Sequence, residues 1–340
     1  MKEIKSLTSL RGIFAMWVLG FHLCAWSPLP GWMQTPIVSR GYLAVDFFFV
    51  LSGFILARTH AGEFHHGAYT KAYRNFVFKR VVRLFPLHWL VLIANLAGLL
   101  IFHDPLPWRG FIVGEFALAH RWNLFPASAA AMNPADWSIS TEWAASILFP
   151  FFVLMGLRRT TLAFLMGGIC VALNVFVASR HRWIMDGVSA NSWLPMLRCG
   201  SEFGIGVLLS RLYLPSKFSP DWAVIPLLVV LILSIVHAID LLAILSFILI
   251  IGILSADRGW FCRLLSISSL HWLGRISYSA YLIQIPTLLL VRKIAKSLPA
   301  WEGPVYAAGT IAVVLVVAAA TNQWVERPLG RWGKSVAATN

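Results

Sequence analysis

Several ionisable residues fall inside apolar stretches of the sequence, and six of them stand out. Arg11 and His22 lie in LTSLRGIFAMWVLGFHL, Asp46 in YLAVDFFFVLSGF, Glu142 in DWSISTEWAASILF, and Arg198 and Glu202 in the stretch near 193–210. An ionisable group among apolar residues of this kind is costly, which makes each one a functional candidate. Histidine is the commonest general acid–base residue, and a carboxylate beside it fixes its tautomer and balances its charge. His22 with Asp46 and Glu142 therefore has the composition to take a proton from a hydroxyl. The same set would also serve as the proton relay of a transporter. Arg11 and His22 are eleven residues apart. On a helix that spacing puts them on one face, about 16 Å apart along the axis. Arg198 and Glu202, four apart, can pair on a single helix face, as a structural contact or as a pore lining.

The elements that hold these residues are membrane helices. Of 340 residues, 59% are hydrophobic and 12% charged, whereas soluble domains carry about 25% charged residues. There is too little polar surface for a water-soluble globule, so lipid is the solvent for much of the chain. Apolar segments fall at about 8–27, 42–58, 84–103, 137–157, 160–179, 193–210, 222–238, 241–256, 270–291 and 303–323, and they predict an all-α integral membrane protein of about ten spans. Residues 111–119 are too few to span and read as an interfacial or re-entrant piece. With the N-terminus inside, the inner loops hold 18 Lys and Arg and the outer loops eight, which places both termini in the cytoplasm. Residues 71–83 (KAYRNFVFKRVVR) read as a basic amphipathic stretch at the inner surface.

Depth estimates then bring the candidates together. His22, Asp46 and Glu142 each lie about four or five residues below the outer end of their spans, one layer of one imidazole and two carboxylates. Arg11 sits near the inner face. Its distance from His22 is comparable to the pantetheine arm of coenzyme A.

Other signals point to ordinary structure. The net charge of +14 reads as helix-end Lys and Arg rather than nucleic-acid binding, because no soluble domain carries it. Cys24, Cys170, Cys199 and Cys262 have no metal spacing and read as small buried apolar residues. His60, Glu63, His65 and His66 resemble a metal cluster but lack ligand spacing, so a solvated inner loop is expected and no metal. Asp104 and Asp136 fall at span ends, where a charge costs little. Trp108, Trp122, Asn123 and Asn133 in the outer loop read as an interfacial belt in preference to a carbohydrate-binding surface. A cleavable signal peptide is not expected. The sequence has no GxSxG, HExxH or Walker motif.

Six segments together resemble the acyltransferase-3 family of bacterial membrane proteins: LTSLRGIFAMWVLGFH, VDFFFVLSGFILA at 45–57, FKRVVRLFPLHWL at 78–90, WSISTEW at 137–143, LGRISYSAYLIQIP at 273–286 and VERPLGRW at 325–332. The resemblance implies a ten-helix domain over residues 1–335, with a short tail at 336–340, in the bacterial inner membrane. It implies transfer of an acyl group, usually acetyl, from cytoplasmic acyl-coenzyme A to a hydroxyl of a cell-surface or exported glycan, beside polysaccharide-synthesis machinery. Arg11 and His22 match the family's critical pair, Arg80 and Arg83 its basic pair, and Glu142 its acidic position. Two residues depart from the pattern: Gln284 stands near a frequent His and receives no catalytic role, and His88 stands where Tyr is common. The expected mechanism has Arg11, Arg80 and Arg83 gripping the phosphates, Ser277 and Tyr278 at the acyl-coenzyme A entrance, and His22 as the base, with Asp46 or Glu142 orienting it. The open alternatives are a proton-coupled transporter or flippase of a lipid-linked sugar, and a silent scaffold.

Overall fold

The computed structural model describes residues 3–27, 29–64, 69–107, 109–124, 131–180, 193–212, 219–236, 240–294 and 303–339. Among these residues the regular structure is helical, in the order α1 (Lys5–Trp26), α2 (Pro36–Ser39), α3 (Ala44–His60), α4 (Tyr69–Ile101), α5 (Arg109–Phe116), α6 (Trp137–Ile147), α7 (Phe149–Leu157), α8 (Thr160–Arg180), α9 (Leu194–Arg211), α10 (Val224–Val236), α11 (Asp240–Leu254), α12 (Gly259–Leu265), α13 (Ser268–Ile294), α14 (Gly303–Thr321) and α15 (Arg327–Thr339). Each apolar segment of the sequence is helical. Among the described residues, five stretches of helix are long and apolar enough to cross a bilayer, or up to seven if each of two bent pairs counts as one span. The chain is thus an all-helical, multi-pass membrane protein, with lipid-facing side chains such as Phe164 on α8 and Val316 on α14 left exposed. α13 is polar for a span because it carries Arg275, Ser277, Ser279 and Gln284.

Two local details differ from the sequence reading. The basic stretch 71–83 is not a separate surface helix but the first part of α4, which runs on through Pro86 for 33 residues. Its arginines are therefore rigidly fixed to a long helix. The segment 137–157 bends by 60° between α6 and α7, where Pro150 enters the first turn of α7 and cannot donate to the preceding turn.

Two glycine crossings set the geometry of the site. α1 runs beside α13, and a methyl group at Gly12 would meet the Gly274 nitrogen at 2.5 Å, while one at Gly274 would run into the Thr8 carbonyl. α3 crosses α9 in the same way: a methyl at Gly53 would run into the Phe203 carbonyl, and one at Gly206 into that of Val50. Small residues at a crossing let two backbones approach closely, and in lipid van der Waals packing of this kind does much of the work of helix association. Phe14, Phe47 and Phe247 pack edge to face or tilted between α1, α3 and α11. A second apolar cluster, built on Phe76, Phe149, Phe152 and Phe203, joins α4, α7 and α9.

Candidate active site

A cavity of about 280 Å³ opens among α1, α3, α4, α6 and α13. Arg11, Arg80, Arg83, Ser277 and Tyr278 all line it, and so does Glu142. The five residues expected to bind the donor thus come from three helices to one space. The rest of the wall is largely apolar, with Phe48, Phe49, Leu51, Ile55 and Leu84 among its members.

The charges in the cavity are paired but accessible. Arg80 donates to Glu142 Oε1 at 2.6 Å, and Ser52 Oγ donates to the same oxygen at 2.7 Å. Arg11 donates to Ser277 Oγ at 3.1 Å, and Ser277 in turn donates to the Gly274 carbonyl at 2.8 Å. The Arg83 guanidinium lies 5.0 Å from the centre of the Tyr278 ring and is ion-paired with Glu326. Tyr278 is itself held by a 2.7 Å hydrogen bond to the Leu84 carbonyl. Three arginines against two carboxylates leave the site with an excess positive charge. A guanidinium held in a fixed orientation presents its fork to a phosphate at little further entropic cost.

His22 and Asp46 lie outside the cavity lining. Asp46 is fully buried, accepts from Arg198 Nε at 2.7 Å and is ion-paired with the NH2 nitrogen of the same guanidinium at 2.6 Å. Glu202, also fully buried, stands 3.8 Å from Arg198. Arg198 therefore bridges α9 to α3 rather than pairing along one helix only. His22 Nδ1 is buried with no hydrogen-bond partner among the described residues, and the side chain of Gln284 lies against the imidazole. Neither Asp46 nor Glu142 bonds to His22. The one-layer arrangement fails for a geometric reason. Glu142 bonds to Ser52, which is six residues further along α3 than Asp46, or about 9 Å. Asp46 in turn points toward α9.

Two residues of the site lacked a role in the sequence reading. Glu326 accepts from Arg83 and from Ser279. It ends a π-helical segment, Asn322–Glu326, between α14 and α15, and Asn322 anchors that segment to the Arg275 carbonyl at 3.1 Å. Such segments recur at functional sites because they re-aim side chains. The available signal was an acid followed by Arg-Pro at the inner end of the last apolar segment. Gln284 is the second such residue.

The remaining polar candidates are placed elsewhere. His60 pairs with Glu63 at 2.9 Å, and Lys79 with Glu63 at 3.2 Å. His65, His66 and Trp108 lie outside the described residues. Among the described residues no three His, Cys, Asp or Glu side chains stand close enough to hold a metal. Asp136 is not a cheap end-of-span charge. It is buried, with His120 Nε2 at 3.0 Å and His88 Nδ1 at 3.8 Å. His88 also contacts the Glu115 carbonyl oxygen at 2.7 Å through Nε2. The Glu115 carboxyl accepts from the Met132 amide at 2.7 Å. Burial pushes that carboxyl up to about 8, and the nearby Asp136 adds to the effect. Asn133 donates to the Leu282 carbonyl at 2.9 Å, so this buried residue ties the loop before α6 to α13 and is not a surface belt member.

A family model described as an acyltransferase domain matches residues 4–321. The chain belongs to the acyltransferase-3 family. Among similar proteins are the acyltransferase MdmB of Streptomyces mycarofaciens, 27% identical over 83% of this chain and 78% of its own length. A protein of Bacillus subtilis (strain 168), YrhL, named as a candidate peptidoglycan O-acetyltransferase, is 23% identical over 98% of this chain and 56% of its own length. A candidate O-acetyltransferase of Staphylococcus aureus (strain COL) is 24% identical over 89% of this chain and 50% of its own length. The chain spans about half the length of the last two relatives. No solved structure matches the chain. Membership of the family makes this a membrane acyltransferase, with O-acetyltransferases among its relatives.

Proposed function

We propose that the chain transfers an acyl group, most simply acetyl, from cytoplasmic acyl-coenzyme A to a hydroxyl of a glycan on the far side of the bacterial inner membrane. In this reading ten helices span the bilayer, both termini are cytoplasmic, and the basic cavity opens inward. The supporting observation is the convergence of Arg11, Arg80 and Arg83, with Ser277 and Tyr278, on one cavity below the part of α1 that carries His22.

The chemistry follows from charge and distance. Arg80, Arg83 and Arg11 bind the phosphates of the donor, with Glu142 and Glu326 holding the first two forks in place. The pantetheine arm then runs along α1, whose eleven-residue interval from Arg11 to His22 covers about 16 Å. His22 takes the proton of the acceptor hydroxyl as its oxygen attacks the acyl carbon. The carbon–sulfur bond breaks, and the protonated His22 gives that proton to the departing thiolate. Asp46 acts at one remove in this scheme: it fixes α3 against α9 through Arg198. The identity of the glycan is left to experiment.

The test uses purified protein in nanodiscs with radiolabelled acetyl-coenzyme A. Acyl transfer or thioester hydrolysis that disappears in His22→Ala, with normal insertion, supports the reading. Proton-coupled movement of a lipid-linked sugar without any acyl donor would replace it with a transporter. Full complementation of a deletion strain by His22→Ala would replace it with a scaffold.

A further inference from the structure

Gln284 is fully buried, and neither its Oε1 nor its Nε2 has a hydrogen-bond partner among the described residues. An amide in that state is expensive, since buried polar groups are almost always satisfied. A Leu or Met of similar volume would fill the space without leaving two polar atoms idle. Such a group calls for an explanation, and contact with a ligand or a reacting group is one.

The neighbours indicate which. Ser277, Tyr281 and Gln284 stand at i, i+4 and i+7 on α13, a spacing that puts them on one face. The first two line the cavity, so Gln284 continues the same stripe one turn further. Tyr281 is held there by a 2.7 Å hydrogen bond with Ser138. On α1, Gly12 touches Gly274, and ten residues further along each helix His22 meets Gln284. The two helices thus run in register from the glycine crossing to the imidazole, which sets the Gln284 side chain against His22. His22 Nδ1 is likewise without a partner. The result is an amide and an imidazole side by side at the end of a stripe that begins at the cavity, each in reach of the other and neither tied by a full hydrogen bond to a third group among the described residues.

We infer that Gln284 is a catalytic residue whose Nε2–H donates to the carbonyl oxygen of the acyl group. The inference rests on the acyl-transfer reading above. The acceptor oxygen bonds to the acyl carbon while His22 takes its proton, and the carbonyl oxygen carries the negative charge until the carbon–sulfur bond breaks and the thiolate receives that proton from His22. A donor fixed in a water-poor site and aimed at that oxygen stabilises the charge as it forms, and removing one such donor typically costs about 10²–10³-fold in kcat.

The test compares wild type, His22→Ala, Gln284→Met and Gln284→Glu in nanodiscs with acetyl-coenzyme A. Met keeps the volume and removes both polar atoms. Glu keeps an acceptor and removes the donor. The expected result is a kcat lowered at least tenfold in both Gln284 variants, a KM for acetyl-coenzyme A within about threefold of wild type, and a melting temperature of Gln284→Met at or above the wild-type value. A kcat in either variant within threefold of wild type overturns the inference. In particular, an active Gln284→Glu beside an inactive Gln284→Met would show that the amide oxygen merely orients His22. Failure of Gln284→Met to fold would show a structural amide and overturn it too. If wild type does not turn over acetyl-coenzyme A, or His22→Ala matches it, the acyl-transfer reading itself fails, and that outcome is separate from the other results.

Discussion

The cavity beside α4 and the cluster between α3 and α9 are made from the same side chains, arginine against carboxylate, and differ in what surrounds them. In the cavity, Arg80 and Glu142 keep side-chain exposures of 13% and 22%, and a ligand can reach them. Between α3 and α9, Arg198 and Asp46 keep 2% and 0%, and nothing can. An accessible pair is a reversible holder for an arginine fork, because an incoming phosphate can replace the carboxylate. An enclosed pair is a clamp, because breaking it leaves an uncompensated charge in a low-dielectric interior. The residue types alone do not distinguish the two; access does.

Substitutions at these places sharpen or break that contrast. The largest effect belongs to His22→Ala, with turnover of acetyl-coenzyme A lower by roughly 10²–10⁴-fold, the usual contribution of a general base, and donor binding unchanged. Steady-state kinetics beside equilibrium binding checks both halves. Next comes the enclosed clamp. Arg198→Ala should destabilise the protein by about 3–5 kcal/mol, read as lost insertion or a lowered melting temperature. Arg80→Ala should leave the melting temperature nearly unchanged. Equal damage from the two would erase the distinction between holder and clamp.

A smaller effect is expected at Glu115, on the short helix between the spans. Its folded-state value lies at about 8 against an ordinary 4.5, chiefly through burial. A carboxyl raised in this way favours the folded state while protonated in it, so its contribution is present below pH 4.5 and is lost as pH rises through about 8. Glu115→Gln should therefore flatten the decline in melting temperature across that interval, and a variant with the wild-type profile would remove this carboxyl from the account. The smallest effect belongs to the half-exposed pair of His60 and Glu63. Glu63→Gln should change stability by no more than about 0.5 kcal/mol, as is usual at a surface, measured by thermal melting.

The helices were legible because apolar run length dictates them in lipid. Every segment marked in the sequence holds a helix among the described residues, down to the short α10 and α11. The convergence of Arg11, Arg80, Arg83, Ser277 and Tyr278 on one cavity was legible through the family resemblance, which singled out the basic pair of α4 and the segment around Ser277. What could not be read was azimuth. Counting residues from a span end gives the height of Asp46 but not the direction in which it points, and its partner Arg198 is 152 positions away. The bend at Leu148 and the π-helical turn before Arg327 escaped for a related reason. Both depend on how neighbouring helices satisfy the local backbone, which no window of sequence contains. Gln284 escaped because a glutamine in a span looks like any satisfied polar residue until its partners are counted.

The central claim is that the arginines of the cavity grip the phosphates of the donor. Titrating coenzyme A against purified protein in nanodiscs, wild type beside Arg80→Ala/Arg83→Ala, tests it most directly. The account predicts an affinity at least about tenfold weaker in the double variant, the equivalent of one lost charge-assisted contact or more, and a shallower dependence on salt. Wild-type affinity with an unchanged salt dependence would contradict it.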